Sequence, residues 1–264
     1  MCATCGCGNH TAGVSASGRS GALDFTHERG DSGGDDHHHG AGGDPRATET
    51  VILERKVLAA NDHIAGHNRK WLDRYGILAL NLTSSPGAGK TSLLERTIRD
   101  LGGYPIAVIE GDQETALDAE RIRAAGARAV QVNTGAGCHL DARMTRSALE
   151  ALDPEPGAMV FIENVGNLVC PALFDLGEKG KVVIVSVTEG ADKPLKYPHM
   201  FAAAELVLVN KIDLLPFVDF DSAMFAASAR SVGGGLDILP ISATTGEGLD
   251  RWYDWLLGQR PAPA

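Results

Sequence analysis

The chain of 264 residues carries 24 Lys plus Arg against 34 Asp plus Glu, a formal net charge of −10, with 44% hydrophobic and 22% charged residues. That composition fits one soluble domain plus an appendage, and the acidic balance argues against a nucleic-acid partner, which needs a basic patch to neutralise phosphates. The longest apolar runs, 77–80 and 182–187, fall far short of the roughly 18 to 20 residues that span a bilayer, and Met1-Cys2-Ala3-Thr4-Cys5 opens neither the basic nor the apolar stretch of a secretory signal; no membrane partner and a cytoplasmic address are expected.

Residues 1–45 hold 11 of the 32 glycines, Phe25 as their one Phe, Tyr or Trp, and no apolar periodicity. Such a segment buries too little surface to offset chain entropy, which predicts a flexible tail. Cys2, Cys5 and Cys7 form C-x-x-C-x-C at its start. A disulfide framework there would have nothing to staple, so reduced thiols holding a metal are the better reading. If Met1 is removed, the new terminal amine becomes a fourth ligand. Three sulfurs and one nitrogen suit square-planar Ni²⁺ more than tetrahedral Zn²⁺; zinc and a redox C-x-x-C pair stay as alternatives. His37, His38 and His39, near His27, Asp35 and Asp36, read equally as loose metal ligands or solvated spacer.

From Thr48 the pattern changes, and residues 46–264 read as one domain with a leading helix. Val51, Ile52, Leu53, Val57, Leu58, Ile64, Trp71 and Leu72 recur at helical spacing as far as Gly76, a plausible stop. His63 and His67, spaced i, i+4, are expected on that helix's surface rather than on a metal. Strand-like runs follow at 77–82, 106–109, 129–132, 159–162, 182–187, 206–209 and 238–239. Helix-like stretches begin near Lys90, Thr115, Asp141, Lys196, Asp219 and Glu247. The alternation predicts an α/β fold of the P-loop NTPase kind, a mostly parallel sheet flanked by helices.

The first strand runs into Ser84-Ser85-Pro86-Gly87-Ala88-Gly89-Lys90-Thr91, and Ser92 continues into a helix. This is a phosphate-binding loop. Around Gly87, Ala88 and Gly89 the backbone N–H groups turn toward phosphate oxygens, Lys90 reaches the β and γ oxygens, and the Thr91 hydroxyl is placed for Mg²⁺. Ser84 stands where the general pattern has its first glycine, which is tolerable if its φ stays negative. Farther on, Asn210-Lys211-Ile212-Asp213 follows an apolar strand and selects guanine. The Asp213 carboxylate accepts from the ring N–H and exocyclic amine that adenine does not present together, while the Lys211 stem packs on the base. Ser242-Ala243 after another strand supplies a loop that backs the base, which favours GTP over ATP.

Asp112 and Glu163 each end a strand and are candidates for Mg²⁺ and the attacking water, Asp112 as a direct or water-mediated ligand beside Thr91. A solvated turn residue is the alternative for Asp112. No glutamine or arginine announces itself as the water-positioning or charge-stabilising group, so slow intrinsic hydrolysis is expected. Cys138-His139 precedes a helix, and Cys170 lies four residues beyond Gly166. Together they read as a second metal site able to sense the nucleotide, with buried structural cysteines and a capping histidine as the alternative.

Taken together the chain resembles, over almost its whole length, the HypB family of hydrogenase nickel-incorporation GTPases, a SIMIBI-class P-loop group. The strings that carry the resemblance are Cys2-Ala3-Thr4-Cys5-Gly6-Cys7, the phosphate loop, Glu110-Gly111-Asp112, Gly135-Ala136-Gly137-Cys138-His139, Glu163-Asn164-Val165-Gly166-Asn167-Leu168-Val169-Cys170-Pro171, Asp192-Lys193-Pro194-Leu195-Lys196-Tyr197-Pro198 and Asn210-Lys211-Ile212-Asp213. The resemblance implies a GTPase that dimerises on GTP and delivers Ni²⁺ to the large-subunit precursor of a nickel–iron hydrogenase, with a HypA-type nickel- and zinc-binding partner. It implies tight metal binding at Cys2, Cys5 and Cys7, and a second site, for Ni²⁺ or Zn²⁺, at Cys138, His139 and Cys170 near a dimer interface. Lys193 and Lys196 are implied near the nucleotide or the dimer seam. The rival readings are a urease-type nickel GTPase and a metal-buffering protein with vestigial hydrolysis.

Overall fold

The computed structural model describes residues 45–112, 117–135 and 137–261, with side chains from Arg55 onward. Cys2, Cys5, Cys7 and the tail histidines lie outside the described residues. The chain divides into two units, 1–55 and 56–264, and helix α1 (Pro45–Arg74) starts in the first and ends in the second.

The second unit is built on seven strands: β1 (Leu78–Ser84), β2 (Ile106–Asp112), β3 (Arg128–Asn133), β4 (Met159–Glu163), β5 (Gly180–Ser186), β6 (Ala204–Asn210) and β7 (Asp237–Pro240). They form one sheet in the order β3-β2-β4-β1-β5-β6-β7, and every described pairing is parallel. All seven expected strands are present, most extended by a residue or two, because the sheet also recruits polar end residues such as Asp112, Glu163 and Asn210.

Both faces are covered, as a parallel sheet requires. On one face Leu93, Leu94 and Ile98 of α2 (Lys90–Asp100), Ile122 of α3 (Leu117–Ala124) and Trp252 and Leu256 of α9 (Leu249–Gly258) pack on Leu80, Leu82, Val182 and Leu208. On the other, Leu149 and Leu152 of α4 (Ala142–Leu152) meet Ile109 and Ile162 with Leu72 of α1. Farther along that face, Phe201 of α7 (Pro198–Ala202) and Phe225 of α8 (Ser222–Gly233) cover Val183, Val185 and Val207.

Two helix expectations are corrected and one unexpected helix is added. The stretch expected near Lys196 is two short helices, α6 (Lys193–Lys196) and α7, because Tyr197 between them, at φ −126° and ψ 52°, precedes Pro198 and the residue before proline is driven out of the helical region. The helix expected near Asp219 starts at Ser222, where Asp221 caps it by accepting from the Ala223 and Met224 N–H groups. Cys170, in a stretch where no helix was expected, opens the one-turn helix α5 (Cys170–Leu173), whose second residue is Pro171. Among the described residues no helix is long and apolar enough to cross a membrane.

Candidate functional site

β1 delivers the chain at Ser84 into the turn that opens α2. Gly87 and Gly89 take φ +75° and +98°, a region that L side chains avoid. A Cβ on Gly89 would also lie 2.5 Å from Asn210 Nδ2. Among described non-glycine residues only Asp153 and Lys211 have positive φ, so Ser84 meets the condition under which serine replaces glycine. Its hydroxyl accepts from Lys90 Nζ at 2.8 Å. Burial lowers the Lys90 pKa, opposed chiefly by the charge of Glu163. Thr91 Oγ1 donates to Glu163 Oε1 at 2.7 Å, and Ser85 Oγ accepts from Lys193 Nζ at 2.9 Å. Lys193 also pairs with Glu189, whereas Lys196 makes an exposed pair with Asp192.

A cleft of about 620 Å³ opens over this loop, lined among others by Gly87, Gly89, Lys90, Thr91, Ser92, Asp112 and Glu163. It lies at the carboxyl ends of the strands, where open α/β sheets bind ligands. Ala88 is wholly buried beneath it. Glu110, which no motif in the sequence assigns a role, also lines the cleft, and its register partner across the β2–β4 ladder is Glu163. Burial, then the charges of Glu163 and Asp112, lifts the Glu110 carboxyl to about 8. Burial raises Glu163 as well, against the pull of Lys90 and the Thr91 hydrogen bond. Glu110 Oε2 and Glu163 Oε2 are both buried without a hydrogen-bond partner. Two such oxygens beside a threonine hydroxyl fit a hard divalent cation such as Mg²⁺.

The residues expected to read the base are interlocked with the phosphate loop. Asn210 Nδ2 donates to Ala88 O at 2.9 Å, and Asn210 Oδ1 accepts from Ala243 N at 3.1 Å. Lys211, held at φ +64°, lines the cleft and donates from Nζ to Gly87 O at 2.8 Å. Ser242 Oγ donates to Asp213 Oδ1 at 2.6 Å, which aims the carboxylate.

Cys138 and Cys170, 32 residues apart in sequence, meet at 2.9 Å between sulfurs. That is well beyond the roughly 2.05 Å of a disulfide. His139 Nδ1 lies 3.6 Å from Cys138 Sγ, and one ligand atom from each of the three residues falls within 4.8 Å of the others. The His139 ring stacks on Phe174 with centroids 3.9 Å apart. Burial pushes its pKa down, opposed by Asp141, which favours the neutral imidazole that ligates metals. Two thiols and an imidazole form a donor set for a borderline or soft cation. The cluster abuts the nucleotide cleft, since Cys138 also lines it, and Asn167 Nδ2 donates to Cys138 O at 3.1 Å. Asn164, next to Glu163, accepts from Leu140 N at 3.2 Å. Neither asparagine was singled out from sequence. Their signal was two amides flanking Gly166 in the stretch after β4.

Comparison with known proteins agrees with this geometry. The family described as CobW/HypB/UreG, nucleotide-binding domain, matches residues 78–239. The hydrogenase maturation factor HypB of Escherichia coli K12 is 48% identical over 99% of this chain and 100% of its own length. That of Rhizobium leguminosarum bv. viciae is 59% identical over 78% of this chain and 69% of its own. The crystal structure of HypB from Helicobacter pylori in complex with nickel superposes with a TM-score of 0.72 at 34% identity, covering 78% of this chain and 99% of that one.

Proposed function

We propose a function that proceeds from one premise: the chain belongs to the HypB hydrogenase maturation factors of the CobW/HypB/UreG family. In this reading it is a GTP-hydrolysing nickel metallochaperone that gates Ni²⁺ delivery to the large subunit of a nickel–iron hydrogenase. The observation that carries it is Cys138, which lines the nucleotide cleft and belongs to the thiol–imidazole cluster at once.

Lys90 leaves Ser84 for the β and γ phosphates, where its charge stabilises the transferring group. Thr91 and Asp112, with Glu163 beside them, are the residues that would hold Mg²⁺, which supplies charge neutralisation when bound. Gly87, Ala88, Gly89 and Ser92 frame the phosphates. Asn210, Lys211, Asp213, Ser242 and Ala243 select guanine. Arg121 also reaches the cleft, where it pairs with Glu95 and Asp118, and intrinsic hydrolysis is slow in this reading. The cargo Ni²⁺ binds Cys138, His139 and Cys170, a site that also suits Zn²⁺, and separately Cys2, Cys5 and Cys7 on the tail, residues 1–45. The GTP-bound protein pairs with a second copy, and the partners are a HypA-type accessory protein and the hydrogenase precursor, in the cytoplasm.

Nickel titration of the reduced full-length chain and of a variant lacking residues 1–8, with GDP and with a non-hydrolysable GTP analogue, tests this. Two sites are expected, one lost on truncation, with the remaining site differing between nucleotides. Identical nickel affinity and stoichiometry with both nucleotides would remove the gating role.

A further inference from the structure

Helix α1 is mostly exposed from Arg55 onward, and its buried stripe is Asn61, Ala65, Asn68 and Leu72. Two of these four positions are amides. A stripe serving stability alone would be apolar, because burying an amide is costly unless its atoms find partners. Asn68 Oδ1 finds none. Something other than packing keeps these amides there.

Their partners indicate what. Asn61 Nδ2 donates to Asp175 O at 2.7 Å while Asn61 Oδ1 accepts from Ala142 N at 2.9 Å. Asn68 Nδ2 donates to Ala142 O at 2.8 Å and to Leu176 O at 2.9 Å. Each side chain therefore bridges the same two segments, and both main-chain groups of Ala142 are held. The first segment leads from Cys138 and His139 into α4, whose first residue is Ala142; its N–H is among the donors that a helix start leaves unpaired. The second leads from Cys170 through Phe174, the residue stacked on His139, to Asp175 and Leu176. Arg69 pairs with Asp175 at 2.7 Å. At Gly177, φ +91°, a Cβ would sit 2.6 Å from both Ala65 O and Asn68 Cβ, so the turn lies directly against the helix.

We propose that Asn61 and Asn68 are positioning residues for the Cys138–His139–Cys170 cluster, fixing the separation of its two ligand-bearing segments so that metal affinity depends on how α1 is docked. The inference rests on the metal-site reading above. In a metal site, groups that orient the ligands typically contribute ten- to hundredfold in affinity.

The test uses the full-length chain with Cys2, Cys5 and Cys7 changed to Ser, so that tail thiols do not compete. Ni²⁺ is followed by titration and Co²⁺ by its thiolate charge-transfer band. Asn61→Ala and Asn68→Ala are each expected to weaken Ni²⁺ roughly tenfold and to shift the cobalt band, with GDP affinity unchanged. Asn61→Asp keeps an acceptor for Ala142 N but sets a carboxylate oxygen against Asp175 O, and should weaken Ni²⁺ at least as much as Asn61→Ala. Unchanged nickel affinity and band in folded Asn61→Ala overturns the proposal. If the alanine variants do not fold, Asn61→Asp decides, with wild-type affinity and band as the refuting result. Cys170→Ser is run alongside. If it leaves nickel binding intact, the metal-site reading falls and this proposal with it; if it abolishes binding while the asparagine variants bind as wild type, only the positioning role falls.

Discussion

The nucleotide cleft and the thiol cluster share Cys138, yet they are secured in different ways. The cleft is rooted in strand ends: Thr91 is tied to Glu163 at the end of β4, and Asn210 at the end of β6 reaches Ala88. Ladder register fixes those residues before any ligand arrives. The cluster hangs on two connecting segments, after β3 and after β4, that no ladder joins. They are joined directly by Asn167 on Cys138 O and Asn164 on Leu140 N, and also by side chains of a helix more than 70 residues upstream of Ala142. A site rooted in a sheet is rigid by construction, whereas one hung on connections needs its own cross-links and can be adjusted without disturbing the sheet. In the proposed function, that division suits a cleft that holds the same phosphates every cycle beside a site that binds and releases cargo.

The largest effect expected to sharpen this contrast is Lys90→Ala. Loss of the lysine proposed to meet the phosphates should lower GTP turnover by at least about a hundredfold and abolish hydrogenase maturation, while nickel affinity of the nucleotide-free protein stays at the wild-type value. A matching fall in nickel affinity would break the comparison, because the two sites would then share one frame. Asp213→Ala should be smaller. Removing a carboxylate that pairs with the base costs roughly 1–3 kcal/mol, so GDP affinity should drop about ten- to hundredfold in a binding titration, again with nickel unaffected. Smallest is Glu110→Gln in protein free of nucleotide and metal. Glu110 is raised to about 8 by burial, then by Glu163 and Asp112, so the folded state holds a proton that the unfolded chain has already released. Stability is therefore full at acid pH and falls as pH rises from the ordinary carboxylate value toward about 8. Glutamine cannot lose that proton. Thermal melts of the variant should match wild type near pH 5 and exceed it by a few degrees at about pH 9; equal melting at both would mean that the folded protein does not hold the Glu110 carboxyl above its ordinary range.

The two regions were also unequally legible. Lys90, Thr91 and the glycines around them were readable because their constraints are local, the positive φ at Gly87 and Gly89 and a helix start immediately after a strand. Helix α1 was readable as a helix but not as to its buried face. Its apolar spacing drew attention to Val57, which is 49% exposed, while Asn61 and Asn68 are buried. Periodicity gives the rise of a helix; which stripe is covered depends on partners 81 and 114 residues away, Ala142 and Asp175 for Asn61. Glu110 lies just past the run expected as a strand and carried no role there, because its meaning depended on β2 lying next to β4, where Glu163 becomes its register partner.

The sequence by itself determined the order of the strands and of the longer helices, the phosphate loop and the Asn210-Lys211-Ile212-Asp213 string, since each is a short-range matter of backbone conformation and side-chain chemistry within a few residues. Only the tertiary structure decided that β1 lies between β4 and β5, that Cys138 meets Cys170, and that two asparagines on the leading helix hold those cysteines' segments together. Those are contacts between groups distant in the chain, fixed by how helices cover a sheet rather than by any local preference.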